Sequence, residues 1–89
     1  MVDLLHEIWV EAGDDGAGLE GCCLAGPDGE RFRRLLSPSA RRTHTFTAGS
    51  HFEAMTNYYR LTARGAPYVS LDPSDHDPYP AEWLERQRI

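Results

Sequence analysis

Residues 47–60, TAGSHFEAMTNYYR, determine how the middle of this chain folds. Ser50 and Glu53 have the S-x-x-E spacing of a capping box, in which the serine hydroxyl accepts the glutamate amide and the carboxylate reaches back to the serine amide. Apolar residues then recur at the spacing of one helical face: Phe52, Met55 and Tyr59. The stretch therefore predicts a helix that begins at Ser50, and Gly65 is a suitable residue to end it.

The same stretch has a second interpretation, because serine, histidine and glutamate are also the side chains of hydrolases. Ser50 and His51 are adjacent, but adjacency does not direct an imidazole toward a serine hydroxyl, and catalytic triads are defined by geometry. We therefore interpret Ser50 and Glu53 as residues that bind helical amide groups.

The first 25 residues predict a β-hairpin. Residues 4–11, LLHEIWVE, alternate so that one face of a strand is the more apolar. That face holds Leu4, His6, Ile8 and Val10. Residues 12–18, rich in Gly and Asp, predict a turn-forming loop, and residues 19–25, LEGCCLA, predict the returning strand. Within it, Cys22 and Cys23 would point to opposite faces and remain free thiols.

A short helix and a third strand follow. Residues 27–36 begin with Pro and Asp, which suit the start of a helix, and their apolar residues repeat at helical spacing. Pro38 ends this helix because a residue before proline avoids helical geometry. Residues 41–48, RRTHTFTA, alternate threonine with His44, Phe46 and Ala48, which predicts a strand.

The C-terminal part is less regular, and it completes the prediction of the fold. Residues 67–71 could form an edge strand, residues 72–80 predict a proline- and aspartate-rich loop, and residues 80–84 predict a last helical turn. Together the patterns predict the α+β class. We expect a small antiparallel sheet of three or four strands with two helices on one face, in the order β-β-α-β-α with an extended C-terminal segment.

The 89 residues suffice for a single domain, residues 1–89, in which residues 72–89 form the C-terminal segment. All nine cationic side chains are arginine, so lysine chemistry is excluded, including Schiff bases and the lysine of a P-loop. The acidic–basic–acidic order of charges predicts self-neutralisation on folding rather than one basic face. The net charge of −5 opposes binding to nucleic acid.

The sequence does not predict a targeting signal. The first ten residues have acids where a signal peptide has basic residues, and no apolar run approaches membrane-spanning length. By default we expect a cytoplasmic protein with no membrane partner, and nothing in the sequence predicts a cofactor.

Two clusters are candidates for metal binding. His6 and His44 lie on the more apolar faces of their strands, where a cysteine could join them, and a Cys/His set can bind zinc. Their spacing matches no zinc signature, and core histidines are a common alternative. Asp75, His76 and Asp77 could bind a hard cation, although aspartates between prolines more often cap turns.

Candidate binding residues lie elsewhere. The predicted helix entrance at Ser50 and His51 could attract an anion, with Arg41 and Arg42 adding positive charge if the fold brings them near. Trp9 lies on the outward face of its strand, where it requires either a covering element or a partner surface.

Two classes of function remain open. The first is a non-enzymatic interaction or regulatory module with a protein partner, or a homodimer formed through Trp9 and Leu5 or through an open sheet edge. The second is a small metal- or anion-dependent enzyme or sensor that uses His6, His44 and His51. The sequence favours the first, because so small a domain has little volume for an enclosed pocket.

Overall fold

The computed structural model describes residues 2–11, 19–62 and 64–88. The elements within them are β1 (Leu4–Glu11), β2 (Leu19–Leu24), α1 (Glu30–Arg33), β3 (Arg41–Ala48), α2 (His51–Leu61) and α3 (Ala81–Gln87). Short 3-10 helices at Pro27–Gly29 and Pro73–His76 precede α1 and α3. The predicted α+β class and the order of elements are confirmed, and the predicted loop at residues 12–18 lies outside the described residues.

The three strands form one antiparallel sheet in the order β2-β1-β3. Because β1 is paired on both sides, it supplies the two largest fully buried side chains, Leu4 and Ile8, both at 0% exposure. His6 lies between Leu24 of β2 and Phe46 of β3. The alternation that predicted β1 therefore also identified the core-facing side of the sheet.

A β-bulge interrupts the pairing of β1 with β3. Ile8 lies opposite His44, but the next residue, Trp9, lies opposite Arg42, so Thr43 is an extra residue on β3. The regular part of β3 is therefore the segment 44–48, which pairs with the first half of β1.

The two longer predicted helices lie on opposite faces of the sheet rather than on one. Tyr58 of α2 is buried on the core face and donates its hydroxyl to Glu20 at 3.3 Å. On the other face, Phe32 of α1 packs so closely over Gly21 that a Cβ there would meet the ring at 2.4 Å. Gly21 thus provides room for α1, and the sheet is covered on both sides.

The buried face of α2 is rotated from the predicted one. Ala54 and Tyr58 are the buried residues of this helix, whereas Phe52 and Tyr59 are only half-buried. These two rings pack instead against the C-terminal segment, where Phe52 stacks on His76 at 4.2 Å and Tyr59 meets Tyr68 edge-on at 5.4 Å.

The same packing explains why residues 67–71 are not a strand. Tyr68 is directed toward the rings of α2, and Pro67 has no N–H to contribute to a ladder. The predicted fourth strand is therefore replaced by extended chain that covers the outer side of α2.

The C-terminal segment returns to the sheet at two places, both at the end where β1 begins and β2 and β3 finish. The amide of Tyr79 donates to the carbonyl of Gly49 at 2.9 Å, directly after β3. At the other end of the segment, α3 is longer than the predicted turn, and Gln87 bonds to the backbone of Leu5 and Ala25. Within the described part of the chain, no helix combines the length and apolarity needed to cross a membrane.

Candidate functional site

The start of α2 is a helix cap and not a catalytic corner. The Ser50 hydroxyl accepts the amide of Glu53 at 3.2 Å, and the Glu53 carboxylate accepts the amide of Gly49 at 3.3 Å. The carboxylate thus reaches one residue farther back than the capping box predicts. Both side chains are occupied by backbone amides.

The predicted anion site is not assembled, because its parts lie at opposite ends of β3. Arg41 and Arg42 begin the strand, while Ser50 and His51 follow its last residue. Seven residue steps of about 3.3 Å separate the two ends by roughly 23 Å. Arg42 is directed to the Glu7 carboxylate at 3.2 Å, and His51 is an exposed ring that meets Tyr68 edge-on.

A groove of about 270 Å³ lies between the core face of the sheet, α2 and the C-terminal segment. Its lining includes His6, Cys22, Met55, Tyr79 and Trp83. His6 and Cys22 therefore line the same groove. His44 does not join them, because its ring is exposed on β3 and bonds to the neighbouring Thr43 hydroxyl at 3.1 Å.

Both ring nitrogens of His6 have hydrogen-bond partners in this groove. Its Nδ1 lies 2.9 Å from the Leu4 carbonyl, which can only accept, so Nδ1 bears the proton. Nε2 is then the acceptor for the Tyr79 hydroxyl at 3.0 Å. Burial lowers the pKa of His6 below its ordinary value of 6.5, which favours the neutral form.

Cys22 and Tyr79 of the groove resist ionisation. Burial raises the pKa of Cys22 to about 12 and that of Tyr79 to about 12. A thiol with so high a pKa remains protonated at neutral pH and is a poor nucleophile. Cys22 and His6 therefore do not form a thiolate–imidazole pair.

The second candidate metal cluster serves the packing of the C-terminal segment. Asp75 accepts hydrogen bonds from the Tyr68 hydroxyl at 2.8 Å and the Ser70 hydroxyl at 3.0 Å. The bond from Tyr68 lowers the pKa of Asp75. His76 stacks on α2, and Asp77 is exposed. In residues 2–11, 19–62 and 64–88, no group of three or more His, Cys, Asp and Glu side chains is arranged to hold a metal ion.

The sequence did not predict the role of Glu7, which lies at 7% exposure on the face assigned to solvent. One carboxylate oxygen accepts from Trp9 Nε1 at 3.1 Å and Arg33 at 3.2 Å, and the other accepts from Arg42 at 3.2 Å. Trp9 is consequently half-buried and bonded within the chain. Only the approach of α1 and β3 to β1 in the fold reveals this network, because Arg33 and Arg42 are distant from Glu7 in sequence.

The outer edge of β3 presents backbone groups that the sheet does not use. The amide of Ala25 donates to the carbonyl of Leu5 at 2.9 Å, so the polar backbone groups of Leu5 face β2. Backbone N–H and C=O groups alternate in direction along an antiparallel strand. Those of His6 therefore face β3, and those of the opposite residue, Phe46, face β1. The N–H and C=O groups of Thr45 and Thr47 therefore point outward.

The two edges of the sheet differ in their protection. At β2, the outward carbonyl of Leu24 accepts from Arg33 at 3.1 Å, and Gly29 packs against it so closely that a Cβ would lie 1.8 Å away. At β3, no strand of the described part of the chain covers residues 44–48, and most side chains of β3 are exposed. Just beyond β3, the C-terminal segment occupies the edge at Gly49, whose carbonyl accepts from the amide of Tyr79. An exposed eight-residue edge strand is a template for another strand.

No protein-family model matches this chain, and neither a curated protein nor a solved structure matches it significantly.

Proposed function

We propose that this protein is a non-enzymatic interaction module that binds an extended segment of a protein partner along the outer edge of β3. The observation that supports this most directly is that the backbone N–H and C=O groups of Thr45 and Thr47 point outward. In strand addition, such groups supply the binding energy through main-chain hydrogen bonds. The neighbouring side chains then provide selectivity.

The state of the reactive side chains supports an interaction role over catalysis. Ser50 and Glu53 are bonded to amides, and the Cys22 thiol has a pKa raised to about 12. His6 uses both ring nitrogens in bonds to Leu4 and Tyr79. Ser50, Glu53 and His6 are thus engaged in hydrogen bonds of the fold, and the Cys22 thiol remains protonated at neutral pH.

Among the surfaces that the sequence suggested, the edge is favoured over the Trp9 and Leu5 face. Trp9 donates its indole N–H to Glu7 and is half-buried, so it contributes less free surface than the sequence predicts. Leu5 is 39% exposed and by itself makes only a small apolar patch.

The test is a selection of peptides on dilute protein from a phage-displayed library, followed by NMR titration of the selected synthetic peptides. Strand addition predicts that the largest amide shifts occur at Thr45 and Thr47. Thr45→Pro removes an outward N–H without removing a bond to β1, so it should abolish binding. Thr45→Ala keeps the N–H and should retain binding.

Two results would contradict the proposal. One is that the selected peptides shift the groove around His6 and Trp83 while leaving β3 unchanged. The other is that Thr45→Pro, folded by circular dichroism, binds the peptides as well as the unaltered protein does.

A further inference from the structure

Resting on the proposed function, we infer that the partner at this edge is a second copy of the chain, added antiparallel about a two-fold axis at Phe46. The product is a continuous six-stranded sheet in the order β2-β1-β3-β3-β1-β2. Two copies of β3 can form this contact with each other because a two-fold axis makes the surface complementary to itself.

The β-bulge and the alternation of backbone groups fix the register. Pairing requires regular geometry, which restricts it to the segment 44–48 beyond the bulge at Thr43. It also requires outward-facing N–H and C=O groups on both strands, and Thr45 and Thr47 provide these groups. Placing Thr45 of one copy opposite Thr47 of the other satisfies both conditions and forms four N–H···O bonds.

This register places Phe46 opposite its own copy. The pair is of the non-hydrogen-bonded type, in which opposite Cα atoms approach to about 4.5 Å and side chains interact most closely. Phe46 is half-buried and stacks on His6 with 5.1 Å between ring centres. Pairing covers the exposed side of each ring, and aromatic pairs of this kind stabilise antiparallel sheets.

Charge complementarity favours the antiparallel arrangement. The first residue of β3 is Arg41, whose side chain is exposed, whereas the next residue, Arg42, already pairs with Glu7 at 3.2 Å. At the opposite end, Gly49 is flanked by two carboxylates, because Glu53 accepts its amide at 3.3 Å and a Cβ there would lie 3.1 Å from Asp3. The two-fold axis brings the basic end of each strand beside the acidic end of the other.

The first experiment is analytical ultracentrifugation from micromolar to near-millimolar concentration. We expect the unaltered protein to reach twice its chain mass of 10.0 kDa as concentration rises. Thr45→Pro should remain at the mass of one chain with an unchanged circular dichroism spectrum, and Thr45→Ala should still dimerise. A protein that is monomeric throughout the range would overturn the inference.

The second experiment tests the register independently of proline. In a parent with Cys22 and Cys23 replaced by alanine, Phe46→Cys places a thiol on the two-fold axis. The expected Cα separation lies within the disulfide range of about 4.4–6.8 Å, so oxidation should give a cross-linked dimer. Thr45→Cys faces Thr47 of the other copy and should cross-link far less. Equal cross-linking of the two variants would refute the register.

The outcomes separate this inference from the proposed function. A monomeric protein whose selected peptides still bind at Thr45 and Thr47 refutes the second copy and leaves the interaction module intact. A dimer that persists in Thr45→Pro and does not cross-link through Phe46→Cys refutes the β3 interface.

Discussion

Glu7 illustrates how a single residue can contradict its sequence environment. Alternation along β1 assigns it to the solvent face, yet its carboxylate is buried between Arg33, Arg42 and Trp9. A buried charge is tolerated only when it is paired and hydrogen-bonded, and both oxygens of Glu7 meet that condition. Two arginines from the basic middle of the chain thus neutralise Glu7 of the first strand.

His6 leads to a prediction about pH. Because burial keeps its folded-state pKa below 6.5, the unfolded chain takes up a proton that the folded protein resists. Stability should therefore fall as the pH decreases through about 6.5, by at most about 1.4 kcal/mol per pH unit from this group. Urea unfolding at about pH 7.5 and about pH 5.5 measures the loss.

The matched variants for this prediction are His6→Gln and His44→Gln. His6→Gln should reduce the loss of unfolding free energy at low pH, since the group that titrates has been removed. His44→Gln should leave the loss unchanged, because its ring is exposed on β3. His51 and Glu53 also influence the His6 ring, so NMR titration of His6 itself should give a pKa below 6.5. Identical pH dependence in all three proteins would contradict the argument.

At the scale of elements, α2 depends on interactions at its start more than on a continuous apolar face. Its buried side chains are only Ala54 and Tyr58. The cap formed by Ser50 and Glu53 satisfies two amides that the helix itself cannot pair. The aromatic contacts on its outer side then attach the C-terminal segment.

Ser50→Ala should lower the free energy of unfolding by about 1 kcal/mol, because the amide of Glu53 loses its acceptor. Urea denaturation followed by circular dichroism measures the change. Ser50→Asp provides the matched control, since aspartate is an equally good capping residue and should restore most of the loss. Equal destabilisation by the alanine and aspartate variants would show that the hydroxyl does not act as a cap.

At the scale of the whole molecule, the C-terminal segment links elements distant in sequence. Gln87 lies between β1 and the end of β2, where its amide accepts from Leu5 N at 2.9 Å and donates to the carbonyls of Leu5 and Ala25 at 2.9 and 3.0 Å. Arg86 pairs with Asp28 at 3.0 Å beside this contact. Beyond the end of β2, the side chain of Gln87 thus bonds to the backbone of β1 in place of a further strand residue.

Gln87→Ala should destabilise the protein by about 1 kcal/mol, because three backbone groups lose a partner at a site partly open to water. Arg88→Ala is the matched control, since its pair with Glu85 is exposed on both sides and should contribute less than about 0.5 kcal/mol. Thermal and urea unfolding of both variants measure the difference. A Gln87→Ala variant as stable as Arg88→Ala would mean that water replaces the bonds without cost.

Local patterns by themselves determined the elements of this protein. Alternation gave β1 and β3 with the bounds that the structure has, and the S-x-x-E spacing gave the cap of α2. These features depend on neighbours within a few residues. The free state and opposite directions of Cys22 and Cys23 were predictable for the same reason.

Only the tertiary structure decided which surfaces are covered. It placed α1 and α2 on opposite faces, directed Phe52 and Tyr59 toward the C-terminal segment, and left the edge of β3 uncovered. Periodicity identifies the apolar side of an element, but the element that packs against it comes from a distant part of the chain. Burial is therefore a property of the assembled fold.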